Sequence, residues 1–133
     1  YGVDVFGEAV EKAKKNVKRF FSTLKSGQKQ PAVYFINRDF FEVELDHVVD
    51  EIITDMPFAM GKTTSRDIEG IYRRFFEAAD RILSDEGHLI LYTRDLPFVL
   101  RYSKAVGFVI KKQFEISARE GTYVCVLGRR NEV

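Results

Sequence analysis

Residues 52–58 read Ile-Ile-Thr-Asp-Met-Pro-Phe. The β-branched run favours a strand, and it delivers the carboxylate of Asp55 directly to a proline and an aromatic ring. Pro57 fixes its own φ and steers Met56 away from the helical region. A backbone so restricted can aim carbonyl oxygens outward beside the Asp55 carboxylate. Two such acceptors suit an amino group held by its two hydrogens, and Phe58 can then stack on the ring that bears the amine. The plainer alternative is a strand end followed by a proline turn with Phe58 buried. Two further acids, Asp4 and Asp39, also follow apolar stretches. In an open α/β sheet, ligands bind beyond the C-terminal ends of the strands. There a carboxylate can accept hydrogen bonds from ribose hydroxyls or an exocyclic amine. Any one of these acids could be a cap or turn former; all of them at one sheet edge favour a common crevice.

The elements that must position these acids alternate in type. Residues 1–5 and 32–36 are short apolar stretches, and residues 48–54 form a third. Residues 8–25 carry Val10, Ala13, Val17, Phe20, Phe21 and Leu24 at helical spacing, with Gly27 expected at the helix end. A second helix presents Ile68, Ile71, Tyr72, Phe75, Phe76, Ala79, Ile82 and Leu83 on one face, with Thr64 and Asp67 as candidate caps. Asp85-Glu86-Gly87 reads as a turn and residues 88–93 as a strand. Residues 96–105 read as a helix with Pro97 in its first turn, ended by Gly107. Residues 108–117 and 122–129 read as long strands joined by a hairpin. Strand–helix alternation implies parallel pairing with right-handed crossovers. The final hairpin adds antiparallel pairing at an edge. With no linker or repeat, residues 1–133 read as one domain or part of one.

Composition narrows the function classes. Hydrophobic residues make up 45% and charged residues 31%, which excludes a disordered chain. Lys and Arg number 21 against 20 Asp and Glu, a net charge of +1, which argues against a strongly electrostatic nucleic-acid clamp within this segment. The single cysteine, Cys125, excludes an internal disulfide and a cysteine zinc cage. No apolar run reaches the ~18 residues of a membrane span. No leader pattern opens the chain, so a reducing, cytoplasmic setting is the expectation.

Asp55-Met56-Pro57-Phe58 resembles the Asp/Asn-Pro-Pro-Tyr/Phe signature of amino-methyltransferases that use S-adenosylmethionine. With an apolar residue in the first proline position and Ile-Ile-Thr before it, the motif is similar to that of RNA guanine-N2 methyltransferases carrying an upstream THUMP domain. The resemblance covers essentially the whole chain. It implies a Rossmann-like class I methyltransferase sheet, mostly parallel with a C-terminal antiparallel hairpin, lacking its first strand and Gly-rich loop. It implies that Asp4, with Val5, meets the cofactor ribose, and that Asp39, with Phe40, meets the adenine. Asp55, Met56, Pro57 and Phe58 would handle the substrate amine, with Asp55 also close to the cofactor. The implied substrate is tRNA or rRNA, with no membrane partner. The family often continues with Gly and then Arg, whereas this chain reads Phe58-Ala59-Met60-Gly61-Lys62. Lys62 and Arg66 are candidate substrate contacts.

The missing strand would lie between the strands ending at Asp4 and Asp55. Those strands are therefore expected to pair directly, to gain a strand from a partner, or to retain a separate fragment, with self-association the favoured outcome. Arg73, Arg74, Lys111, Lys112, Arg129 and Arg130 read as surface charges, His47 and His88 as structural, and Cys125 and Tyr72 as core. Adenine-N6 and protein-glutamine methylation remain open, because the motif treats these amines alike. A non-catalytic nucleotide-binding or assembly module is the rival of another class. A dinucleotide-dependent dehydrogenase would account for Asp4 but has no need of Asp55-Met56-Pro57-Phe58.

Overall fold

The computed structural model describes residues 1–130, which fall into two compact units, Tyr1–Val43 and from Glu44 onward. In the first unit, β1 (Gly2–Asp4) and β2 (Phe35–Asn37) pair in parallel, with Asp4 opposite Asn37. Helix α1 (Gly7–Ser22) connects them. It is strongly amphipathic in sequence, yet of its residues only Val10 is buried, and Phe20 is exposed. The helix stops short of residue 25: the Thr23 N–H bonds the Phe20 carbonyl. Gly27, at φ +88°, instead shapes a separate turn closed by the Gln28 N–H on the Lys25 carbonyl at 3.0 Å. Its positive φ suits glycine in either place, so composition does not separate the two. Strand β2 is shorter than residues 32–36 suggest and is displaced toward Asn37.

The second unit holds a four-stranded sheet in the order β3-β4-β6-β5. Strand β3 (Val49–Asp55) runs parallel to β4 (Leu83–Thr93). Strands β5 (Phe108–Ser117) and β6 (Thr122–Arg129) form the hairpin, and β6 lies antiparallel to β4. Helix α2 (Ser65–Ile82) starts with a capping box. Thr64 Oγ1 accepts the Asp67 N–H while Asp67 Oδ2 accepts the Thr64 N–H, so both candidate caps act together. Helix α3 (Leu96–Ala105) carries Pro97 in its first turn, and Gly107 follows its end at φ +87°.

The core of this unit is one sheet face against the helices. Ile68, Tyr72, Phe76 and Ala79 of α2 are buried, as are Val99 of α3 and Leu89, Leu91, Cys125 and Leu127 of the sheet. Period-two burial along β4 and β6 puts alternate residues on the other face. Burial also pushes the Cys125 thiol pKa up, consistent with its core reading.

Three readings are corrected here. Residues 85–87 are not a turn ahead of the strand: β4 already begins at Leu83, paired with Val49, and His88 pairs with Glu51. The extra residues between these pairs form an irregularity in the ladder. Gly87 is required there, because a Cβ would lie 2.7 Å from Leu83 Cδ1 and 2.9 Å from the Asp50 carbonyl oxygen. Second, of the three outcomes left open for the strands ending at Asp4 and Asp55, direct pairing is not found among the described residues: β1 pairs with β2, and β3 opens the separate four-stranded sheet. Among the described residues, β3 has a strand neighbour on one side only. Third, Arg129 is not a free surface charge. It bonds the Asp80 carboxylate, and its Nη2 donates to the carbonyls of Asp80 and Leu83 at 3.0 and 2.8 Å. No helix among the described residues is long and apolar enough to cross a membrane.

Candidate active site

The first unit gathers Asp4 and Asp39 at one end of its sheet, because β1 and β2 run parallel. Asp4 Oδ1 accepts the Phe6 N–H at 2.8 Å, closing a tight turn directly after the strand. Asp39 caps a single 3₁₀ turn (Phe40–Glu42), its Oδ1 accepting the Phe41 N–H at 3.0 Å. In each carboxylate, one oxygen serves the fold while the other can still accept. That acceptor set fits an adenosine, whose ribose hydroxyls and exocyclic amine are all donors. Val5 is exposed beside Asp4, and Phe40 is half-buried beside Asp39. The sequence reading missed Asn37. With its amide nitrogen turned toward them, it donates to the Val5 and Asp4 carbonyls at 3.0 and 3.2 Å. It thereby holds the loop on which Asp4 sits. Gly7 leaves room for it, since a Cβ there would stand 3.0 Å from the Asn37 side-chain amide.

The second unit carries the motif at the end of β3. Asp55 pairs with Tyr92, and the Met56 N–H extends the ladder onto the Tyr92 carbonyl at 2.9 Å. Met56 is buried, and its anchored side chain sets where Pro57 begins. Asp55, Phe58, Tyr92 and Arg94 line an open depression of about 590 Å³ floored by Ile53, Ile90 and Val124. The Asp55 carboxylate accepts no hydrogen bond from the described residues, so both its oxygens are available to a donor. Phe58 is half-buried, and the Arg94 guanidinium lies 3.9 Å from its ring centroid.

On the opposite, buried face of β4, the Tyr72 hydroxyl bonds Thr93 Oγ1, which also accepts the Asp95 N–H at 2.9 Å. Desolvation pushes the Tyr72 pKa up to about 12, with Asp95 and Asp55 adding to the shift. Tyr72 is core, as expected, and its hydroxyl lies within the electrostatic reach of Asp55. Lys62 and Arg66 are exposed beyond the motif and do not line the depression. Arg94 is the cation that does, and sequence reasoning missed it. It follows a strand with no motif of its own, so nothing local marked it.

A family model described as UPF0020, RMKL-like, methyltransferase domain matches residues 1–119. No curated protein matches the chain. Solved structures share its fold at low identity. TrmN from Thermus thermophilus superposes with a TM-score of 0.73 at 16% identity over 96% of this chain and 35% of that one. The ribosomal protein L11 methylase from Lactobacillus delbrueckii subsp. bulgaricus gives 0.69 at 13%, over 97% and 56%. The N-methyltransferase NodS from Bradyrhizobium japonicum WM9, in complex with S-adenosyl-L-homocysteine, gives 0.65 at 13%, over 98% and 65%. The chain thus spans between about a third and two thirds of these proteins. The architecture is that of Rossmann-like class I methyltransferases.

Proposed function

This chain belongs to the RMKL-like methyltransferase domain family (UPF0020), and from that premise we propose that the complete protein methylates the exocyclic N2 amine of guanine in tRNA or rRNA. The observation that carries the proposal is the Asp55 carboxylate, without a partner among the described residues, at the mouth of a depression that also holds the Phe58 ring. S-adenosylmethionine supplies an electrophilic methyl group when bound. Asp4 and Asp39 hold the ribose hydroxyls and the adenine amine through their remaining carboxylate oxygens. Asp55 and the carbonyls of the Met56–Pro57 segment accept the two hydrogens of the target amine and orient its lone pair. Their negative charge also favours the positive charge that develops on nitrogen as it is alkylated. Phe58 stacks on the base. Neighbours by fold include one named as an rRNA methylase, from Clostridium thermocellum, which supports an RNA substrate, and one named as a ribosomal protein L11 methylase, which keeps a protein substrate as the alternative.

The test is to incubate the complete protein with methyl-labelled S-adenosylmethionine and unmodified tRNA or rRNA, digest to nucleosides, and identify the labelled species by mass. Label in N2-methylguanosine is the expected result. Label in N6-methyladenosine would overturn the guanine assignment while keeping the amine chemistry. Absence of label from protein that binds the cofactor would sink the RNA reading.

A further inference from the structure

Arg94 is the arginine that lines the depression containing Asp55. Arg129 donates through both terminal nitrogens to a carboxylate and carbonyls, and Arg101 donates to Glu69 at 2.9 Å. Arg94 donates no hydrogen bond to any described residue. Its guanidinium is held by a face-on contact with Phe58 and by a loose ion pair, 3.7 Å from Glu120 Oε2 in the β5–β6 turn. An exposed pair of that length contributes little, about 0–1 kcal/mol. The backbone beneath is the opposite: the Tyr72–Thr93–Asp95 hydrogen bonds pin the end of β4. A firmly placed backbone thus carries a weakly held cation, with its N–H donors unspent, on the rim of the depression that contains Asp55.

The guanidinium also covers the Phe58 face on which a base would stack, and the two cannot share it. The geometry points to Arg94 as the residue that binds a backbone phosphate of the nucleic-acid substrate beside the target nucleotide. This deepens the function proposed above and rests on it. A phosphate takes the guanidinium in a bidentate, charge-assisted pair stronger than the Glu120 contact. The side chain leaves Phe58 as it turns to the phosphate, and the ring face opens to the base. Glu120 holds the cation in reserve until then.

The experiment compares Arg94→Ala, Arg94→Lys and Glu120→Gln in the complete protein. It reads methyl transfer to RNA, and the binding of a fluorescein-labelled single-stranded oligoribonucleotide across a salt series. Arg94→Ala should raise KM for RNA about tenfold, the loss falling on KM rather than kcat. It should also lower the slope of log affinity against log salt by about 0.7, the value for one lost phosphate contact on a single strand. Arg94→Lys should keep the slope but recover only part of the affinity. Glu120→Gln should lower KM. Unchanged cofactor affinity serves as the folding check, and if Arg94→Ala fails it, the Arg94→Lys and Glu120→Gln arms decide. An unchanged KM and salt slope in Arg94→Ala, or a raised KM in Glu120→Gln, would overturn the proposal. If the unsubstituted protein transfers no methyl group yet its oligonucleotide binding still depends on Arg94, the methylation reading fails and the phosphate contact stands.

Discussion

Tyr72 and Thr93 meet hydroxyl to hydroxyl in a fully buried position, joining α2 to the last residue of β4. Removing the phenol oxygen in Tyr72→Phe loses a net hydrogen bond and should cost about 1 kcal/mol. Denaturant unfolding at neutral pH measures this directly.

The same phenol predicts an alkaline limb in stability. Its folded pKa, about 12, lies above the ordinary tyrosine value near 10. The folded state therefore favours the neutral form. The contribution is fully present below about pH 10 and is lost as pH rises from there through about 12, because only the unfolded chain ionises in that window. The difference between the protein and Tyr72→Phe should change across that window and be flat below it. A difference that is flat throughout would mean the phenol is not desolvated.

Asp55 should matter for turnover more than for cofactor affinity. Asp55→Ala should lower kcat by roughly a hundredfold or more, in the range for losing one preorganised electrostatic contact. Asp55→Asn keeps a carbonyl acceptor and should lose less. Single-turnover methyl transfer at saturating cofactor checks both, and a loss of only a few fold in Asp55→Ala would refute the role.

Asp4 should show the reverse pattern. A carboxylate that accepts from a ribose hydroxyl is a charge-assisted contact, and its removal in Asp4→Ala should weaken cofactor binding about 10- to 100-fold. Calorimetric titration with S-adenosyl-L-homocysteine measures it. Asn37→Ala, which releases the Asp4–Val5 loop, should give a smaller loss in the same direction.

Arg129 is a stability residue. Arg129→Met keeps much of the apolar stem but leaves the Asp80 carboxylate and the Asp80 and Leu83 carbonyls without this donor. The expected cost is about 2 kcal/mol, read as a lowered urea midpoint with an unchanged m-value.

The isolated 133-residue chain should self-associate. Strand β3 pairs on one side only, and Ile53 on it is 70% exposed, a combination that templates strand addition. Sedimentation at concentrations on the order of tens of micromolar should show species larger than monomer; a single monomeric boundary would count against edge pairing.

What could be read from the amino-acid sequence follows the range of the forces that write it. Pro97 and Gly107 bracket α3 because each restricts or frees its own φ, and the α2 face is legible because helical periodicity repeats within the segment. The closing hairpin is legible for the same reason. Asp55 at the end of β3 is the joint product of a β-branched run and Pro57, all within a few residues. Other features depend on partners distant in the chain. Leu83 extends β4 because Val49 lies alongside it, and Arg129 is spent on α2 rather than solvent because β6 passes that helix end. Arg94 covers Phe58 because β4 lies beside β3 in the sheet. Residue types announced the carboxylate proposed to bind the amine; only the tertiary structure decided which cation stands over the ring beside it. A carboxylate after a strand is a local arrangement, whereas a cation–π contact requires two chain segments to meet.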